Sequence, residues 1–176
     1  MTTVCFHGAE STGKSVLAER VSRTLGCPWV PEYGRTYCEE RVLRQAEDTL
    51  AMDDLLAIAE GQQAAVQAAL APRPPLLILD TDQLMTAAWA EMLFGAAPEA
   101  LLSYPRADLY LLFEPDVPWV ADGTRFFGST QERARFAEIA EAMLVRTGVP
   151  FRRISGDWEA RAASVRAAIG ALTTKA

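Results

Sequence analysis

The chain opens on a strand-like run, Thr2-Thr3-Val4-Cys5-Phe6-His7, that leads directly into Gly8-Ala9-Glu10-Ser11-Thr12-Gly13-Lys14-Ser15. The pattern G-x-x-x-x-G-K-S constrains the fold more than any other feature. Its glycines let the backbone curl with several N–H groups pointing inward, and the helix that follows adds the positive end of its dipole. In that geometry Lys14 reaches the β- and γ-phosphates, and the Ser15 hydroxyl sits on Mg²⁺. An ordinary glycine turn matches four fixed positions by chance, so context decides. An apolar run precedes the motif, and Val16, Leu17, Val21 and Leu25 follow at helical spacing. The expected ligand is a nucleoside triphosphate, cradled by Gly8, Glu10, Ser11, Thr12, Gly13, Lys14, Ser15 and Val16.

Downstream, strands alternate with helices. The first helix is predicted to end near Leu25, with Gly26 as its cap and Pro28 blocking continuation. Pro28-Trp29-Val30 reads as a second strand that delivers Pro31-Glu32-Tyr33-Gly34-Arg35 to a loop. A polar helix follows, then a long alanine-rich helix over 51–70, broken by Ala71-Pro72-Arg73-Pro74-Pro75. Leu76-Leu77-Ile78-Leu79 is continuously apolar, as a strand covered on both faces requires. Helix over 82–94, strand over 108–113, an irregular stretch over 115–128, helix over 130–147, strand over 151–154 and helix over 158–172 complete the pattern. This alternation predicts one α/β domain across residues 1–176, with a parallel sheet and helices on both faces.

Composition narrows the function. At 176 residues the chain is long enough for a real core, and no run is apolar and uncharged enough to span a bilayer. The phosphate loop lies so near the first residue that a signal peptide is not expected. Three cysteines without a C-x-x-C pair argue against a disulfide framework or metal cluster, so a cytoplasmic protein is expected. A formal charge of −6 disfavours a nucleic-acid-coating surface. The single histidine, His7, is most simply a strand-end residue.

Asp80 closes the apolar strand where ligands gather in an open parallel sheet, which makes it a candidate Mg²⁺ holder beside Ser15; helix capping by Asp80 or Asp82 is the plainer alternative. Asp82 can serve a second ligand instead of the metal. Glu32 stands at the corresponding edge after the second strand, placed to accept a proton from an attacking hydroxyl. Tyr33 and Arg35 beside it can shape an acceptor pocket; an incidental solvated Glu–Arg pair is the other reading. Residues 115–135 fit a lid supplying Arg125 or Arg133 to charge that moves in the reaction, with Arg135 less favoured. Trp89, two helical turns beyond Asp82, either packs in the core or stacks on a flat acceptor base. Gly156 and Arg161 form a G-x-x-x-x-R turn that can pass over adenine. No N-K-x-D-like guanine reader is present, so ATP is the expected nucleotide.

Read together, these segments resemble the ribosylnicotinamide kinase domain of NadR proteins. The resemblance rests on Gly8 to Ser15, Pro31-Glu32-Tyr33-Gly34-Arg35-Thr36-Tyr37, Ile58-Ala59-Glu60-Gly61-Gln62, Asp80-Thr81-Asp82 with Thr86 and Trp89, residues 115–125, and Ile154-Ser155-Gly156 with Arg161. It implies a P-loop NTPase of kinase type, a five-stranded parallel sheet in the order 2-3-1-4-5 with a small helical lid, and ATP with Mg²⁺. The implied reaction transfers phosphate to the 5′-hydroxyl of nicotinamide riboside. The implied acceptor site draws on Glu32, Tyr33, Arg35, Asp82, Trp89 and Asp122, with Glu32 or Asp82 on the ribose side. Multifunctional NadR proteins also carry an adenylyltransferase with an H-x-x-H-type site, and some carry a helix-turn-helix DNA reader. Neither activity is expected of these residues. Two other readings stand beside this one: a kinase for another small acceptor such as a deoxynucleoside, and an ATP-binding regulatory switch.

Overall fold

The computed structural model describes residues 1–43, 50–118 and 129–173. Five strands form one sheet: β1 (Thr2–Gly8), β2 (Trp29–Val30), β3 (Leu76–Asp80), β4 (Leu109–Phe113) and β5 (Phe151–Ile154). Every neighbouring pair is parallel, in the order β2-β3-β1-β4-β5. Parallel strands cannot be joined by a tight hairpin, so helices carry the connections. These are α1 (Lys14–Leu25), α2 (Tyr33–Leu43), α3 (Met52–Leu70), α4 (Gln83–Phe94), α5 (Glu99–Leu102), α6 (Thr130–Thr147) and α7 (Trp158–Thr173). None of the described helices is long and apolar enough to cross a membrane.

The strand residues divide by parity, because successive side chains point to opposite faces. Val4, Phe6, Leu76, Ile78, Leu109, Leu111 and Phe113 pack with Leu17, Val21, Val165 and Ile169 of α1 and α7. Cys5, Leu77, Leu79, Tyr110 and Leu112 pack on the other face with Val66, Leu84 and Leu144. This two-sided cover is why β3 and β4 read as nearly continuous apolar runs, whereas the edge strand β5 exposes Arg152 and Arg153. A third cluster joins α3, α4, α5 and α6 through Leu55, Ile58, Met85, Leu101, Phe136 and Met143.

The sequence pattern puts Tyr33, Gly34 and Arg35 in a loop, whereas the structure makes them the first turn of α2. The reason is tertiary. The first N–H groups of a helix lack intrahelical acceptors, and that of Tyr33 donates to Gln62 Oε1 of α3 at 2.8 Å. The one-turn helix α5 also lies outside the sequence pattern, since four residues carry no readable period.

Candidate active site

β1 lies between β3 and β4, so the loop after β1 emerges where the sheet's connections diverge, the usual ligand crevice of an open α/β sheet. Gly8 makes the exit possible. Its φ is +125°, and a Cβ there would lie 2.5 Å from the Phe113 carbonyl oxygen. Beyond it the loop folds on itself: Thr12 Oγ1 donates to Ala9 O at 2.9 Å, and Lys14 Nζ donates to the same oxygen at 2.6 Å. Two arginines hold its outer side. Arg133 donates to Glu10 O and Ser11 O at 3.2 and 3.4 Å, and Arg161 donates to Thr12 O at 3.2 Å.

A cavity of about 340 Å³ opens in front of the loop. Gly8 and Glu10 to Val16 form one wall, Glu32, Thr81 and Asp82 come from the adjoining strand ends and Arg35 from the first turn of α2, and Leu55, Ile58, Met85, Thr86, Trp89 and Phe136 line the apolar part. Of the remaining sequence candidates, Tyr33, Asp80, Arg133, Gly156 and Arg161 are not among the residues that line it. Asp122 and Arg125 lie outside the described residues, as does the middle of the stretch read as a lid, residues 119–128. Residues 130–135 are the first turns of α6.

The carboxylates differ in their surroundings. Burial, reinforced by the negative charge of Asp80 and opposed by Lys14 and Arg35, pushes Glu32 up to about 7. Asp80 is 2% exposed; burial raises its pKa, while the Ser15 hydroxyl donating to it and the Lys14 charge act downward. Its Oδ1 has no hydrogen-bond partner among the described residues. A buried, unpaired carboxylate oxygen beside a serine hydroxyl suits a hard cation such as Mg²⁺, which takes one or two protein oxygens and fills its shell with phosphate and water. No group of three or more His, Cys, Asp or Glu side chains suited to a metal occurs among the described residues.

Asp82 borders the cavity but is also the N-cap of α4. Oδ1 accepts the Leu84 N–H at 3.0 Å, and Oδ2 accepts the Tyr110 hydroxyl of β4. Burial raises its pKa against these donors. His7 is fully buried and lies 2.9 Å from Ala140 O through Nε2; desolvation lowers its pKa to about 4, so it stays neutral and ties β1 to α6.

Trp89 is partly buried, with its ring centroid 4.6 Å from that of Phe136 at 44°, and it borders the cavity as well. Trp89 is therefore packed against Phe136 and also contributes to the cavity lining. Sequence reasoning left Gln62 without a role of its own. It is 3% exposed, accepts the Tyr33 N–H and donates from Nε2 to Thr81 O at 3.4 Å, linking the Glu32 segment to the end of β3. The signal was available: Gln62 is the polar member of an apolar stripe formed by Leu55, Ile58, Ala59 and Val66. The neighbouring Gly61 carries the Tyr33 ring, which a Cβ would meet at 2.1 Å. Phe136 arrives from α6 with no local sequence signal.

Comparison with known proteins places this geometry in context. The chain is 32% identical over 163 residues to the trifunctional NAD biosynthesis/regulator protein NadR of Escherichia coli (strain K12), a match covering 90% of this chain and 40% of that protein. The chain thus spans less than half the length of that curated relative. A solved NadR protein in complex with NR superposes with a TM-score of 0.76 at 24% identity, covering 95% of this chain and 50% of that one. A deoxyadenosine kinase from M. mycoides, with products bound, superposes with a TM-score of 0.66 at 11% identity, covering 97% and all of its chain. Both share the P-loop kinase fold. An AAA domain family model matches residues 3–161, from the first core strand to the buried arginine of α7, and the chain belongs to that family.

Proposed function

We propose that the chain is an ATP-dependent kinase that phosphorylates the 5′-hydroxyl of nicotinamide riboside, giving nicotinamide mononucleotide for NAD salvage. One observation carries the reading: Glu32, a carboxylate that burial pushes up to about 7, lines the same cavity as the phosphate loop and the aromatic pair Trp89 and Phe136. The kinship to NadR, and the solved NadR complex with NR, support this choice of acceptor.

In this reading the triphosphate lies along residues 8–16, with Lys14 on its terminal phosphates. Ser15 and Asp80 would hold Mg²⁺, which when bound neutralises charge on the β- and γ-phosphates. The flat pyridinium ring enters the apolar part against Trp89, and the ribose faces Asp82 and Thr86. An ionised carboxylate offers about four lone-pair sites, so Asp82 still has capacity for a ribose hydroxyl after serving Leu84 and Tyr110. Glu32 orients the 5′-hydroxyl. As its oxygen bonds to the γ-phosphorus, the bond to the β–γ bridging oxygen breaks, ADP leaves, and the hydroxyl proton passes to Glu32. Glu32 fits the base role better than Asp82, whose two oxygens are already engaged. Gln62 and Gly61 fix where Glu32 stands by seating Tyr33.

The test is ADP release from Mg-ATP with nicotinamide riboside, thymidine, deoxycytidine, uridine or no acceptor. Stimulation by nicotinamide riboside alone supports the proposal. Stimulation by a different nucleoside keeps the kinase and discards the acceptor. Silence with every acceptor, despite ATP binding, favours the regulatory switch.

A further inference from the structure

Arg161 is only 1% exposed, yet it does not border the cavity. Its guanidinium is spent on three loops at one edge of the sheet. Nε donates to Gly156 O at 2.8 Å, Nη1 to Thr12 O at 3.2 Å, and Nη2 to Glu114 O at 2.9 Å and to the Asp116 carboxylate. The other Asp116 oxygen accepts the Gly156 N–H at 2.7 Å. Arg133, from α6, repeats the arrangement next door: Nε to Glu10 O, Nη2 to Ser11 O, and Nη1 to Val117 O at 2.9 Å. Three consecutive carbonyls of the phosphate loop thus point at two guanidinium groups, and the same groups grip the segment that follows β4.

In a trans peptide the C=O and the next N–H lie in one plane and point in opposite directions. Turning carbonyls 10, 11 and 12 outward therefore turns the N–H groups of Ser11, Thr12 and Gly13 toward the cavity. We propose that Arg161 and Arg133 are positioning residues that preorganise these three N–H groups for phosphate and couple the loop to residues 114–117. The proposal rests on the reading that the loop holds a triphosphate. It gives both arginines a role through the backbone rather than on the nucleotide. Lysine cannot substitute, because the device needs a planar fork serving several carbonyls at once.

The experiment measures binding of inorganic tripolyphosphate by calorimetry, with nicotinamide riboside binding as a separate reference, for the wild type, R161K, R161M and R133K. Expected are losses of tenfold or more in tripolyphosphate affinity for both Arg161 variants and about threefold or more for R133K. Nicotinamide riboside affinity should stay within twofold. Hydrogen exchange supplies the second arm: tripolyphosphate should slow exchange at the amides of Glu114, Asp116 and Val117 in the wild type and lose that effect in R161K. Unchanged tripolyphosphate affinity in a folded variant overturns the proposal, and so does equal weakening of both ligands. If R161M does not fold, R161K and R133K decide. A wild type that binds tripolyphosphate but not nicotinamide riboside refutes the acceptor assignment and leaves this inference standing, with thermal midpoints then serving as the folding control.

Discussion

Replacing Glu32 with glutamine should make the unliganded protein more stable and far less active, and the stability gain should depend on pH. Glu32 titrates near 7 in the folded chain against an ordinary 4.5, chiefly because burial disfavours its charge. A tenfold change in proton affinity is about 1.4 kcal/mol, so the full displacement corresponds to roughly 3 kcal/mol of cost for the ionised form. Glu32 keeps some contact with cavity water, which screens the charge, and about 2 kcal/mol is the working figure. Because the folded pKa is raised, the bound proton favours folding fully below about pH 4.5, and that contribution disappears as pH rises through 7. Below pH 4.5 the neutral acid and the amide are near equivalents. Above pH 7 the variant escapes the cost. Thermal melts of the two proteins should therefore agree within a degree or two at pH 4.5. At pH 8 the variant should melt about 4–8 °C higher, since 1 kcal/mol moves the midpoint of a domain this size by roughly 2–4 °C. Turnover at pH 8 should fall about 100-fold or more with loss of the base. A variant equally stable to the wild type at both pH values would refute the claim that Glu32 is held in a charge-averse site, and wild-type turnover would remove it from the chemistry.

Other substitutions probe the rest of the cavity. Trp89→Ala should raise the KM for nicotinamide riboside about fivefold to tenfold, the value of one lost ring contact, and should also lower the melting temperature because the ring packs on Phe136. A lower melting temperature with unchanged KM would leave Trp89 as packing alone. Gly61→Ala places a methyl 2.1 Å from the Tyr33 ring, and overpacking of this kind costs about 1–3 kcal/mol. Denaturant melts should register that loss, with kcat falling as Glu32 is displaced. Asp82→Asn keeps an acceptor for the Leu84 N–H but removes the charge that receives the Tyr110 hydroxyl. The melting temperature should change little, since the weakened Tyr110 bond is offset by removal of a charge that burial disfavours, and the KM for nicotinamide riboside should rise while that for ATP stays; a rise in the ATP value instead would place Asp82 on the nucleotide side.

What the sequence reveals follows from how local each device is. The phosphate loop is legible because its chemistry needs contiguous residues, and Asp80 because a buried strand ending in a carboxylate leaves a visible pattern. The sheet is legible too, since two-sided burial writes apolar runs into the middle of β1 and along β3 and β4. The start of α2 is not, because its first N–H is satisfied by Gln62, 29 residues away. Nor is the meeting of Trp89 with Phe136, which come from α4 and α6. Arg133 and Arg161 can be singled out by type, but most of their partners are backbone carbonyls, which look alike in any sequence. A chemistry-bearing residue can thus be found by spacing while the direction it faces is set elsewhere.

The central claim is that the loop and the aromatic-lined pocket serve one phosphoryl transfer. The most direct measurement incubates the protein with Mg-ATP and nicotinamide riboside and identifies the product by mass and phosphorus resonance. The account predicts one ADP per nicotinamide mononucleotide, with the phosphate on the 5′-oxygen and little ADP when the riboside is omitted. ADP formed at the same rate without the riboside, or a riboside recovered unphosphorylated, would contradict it.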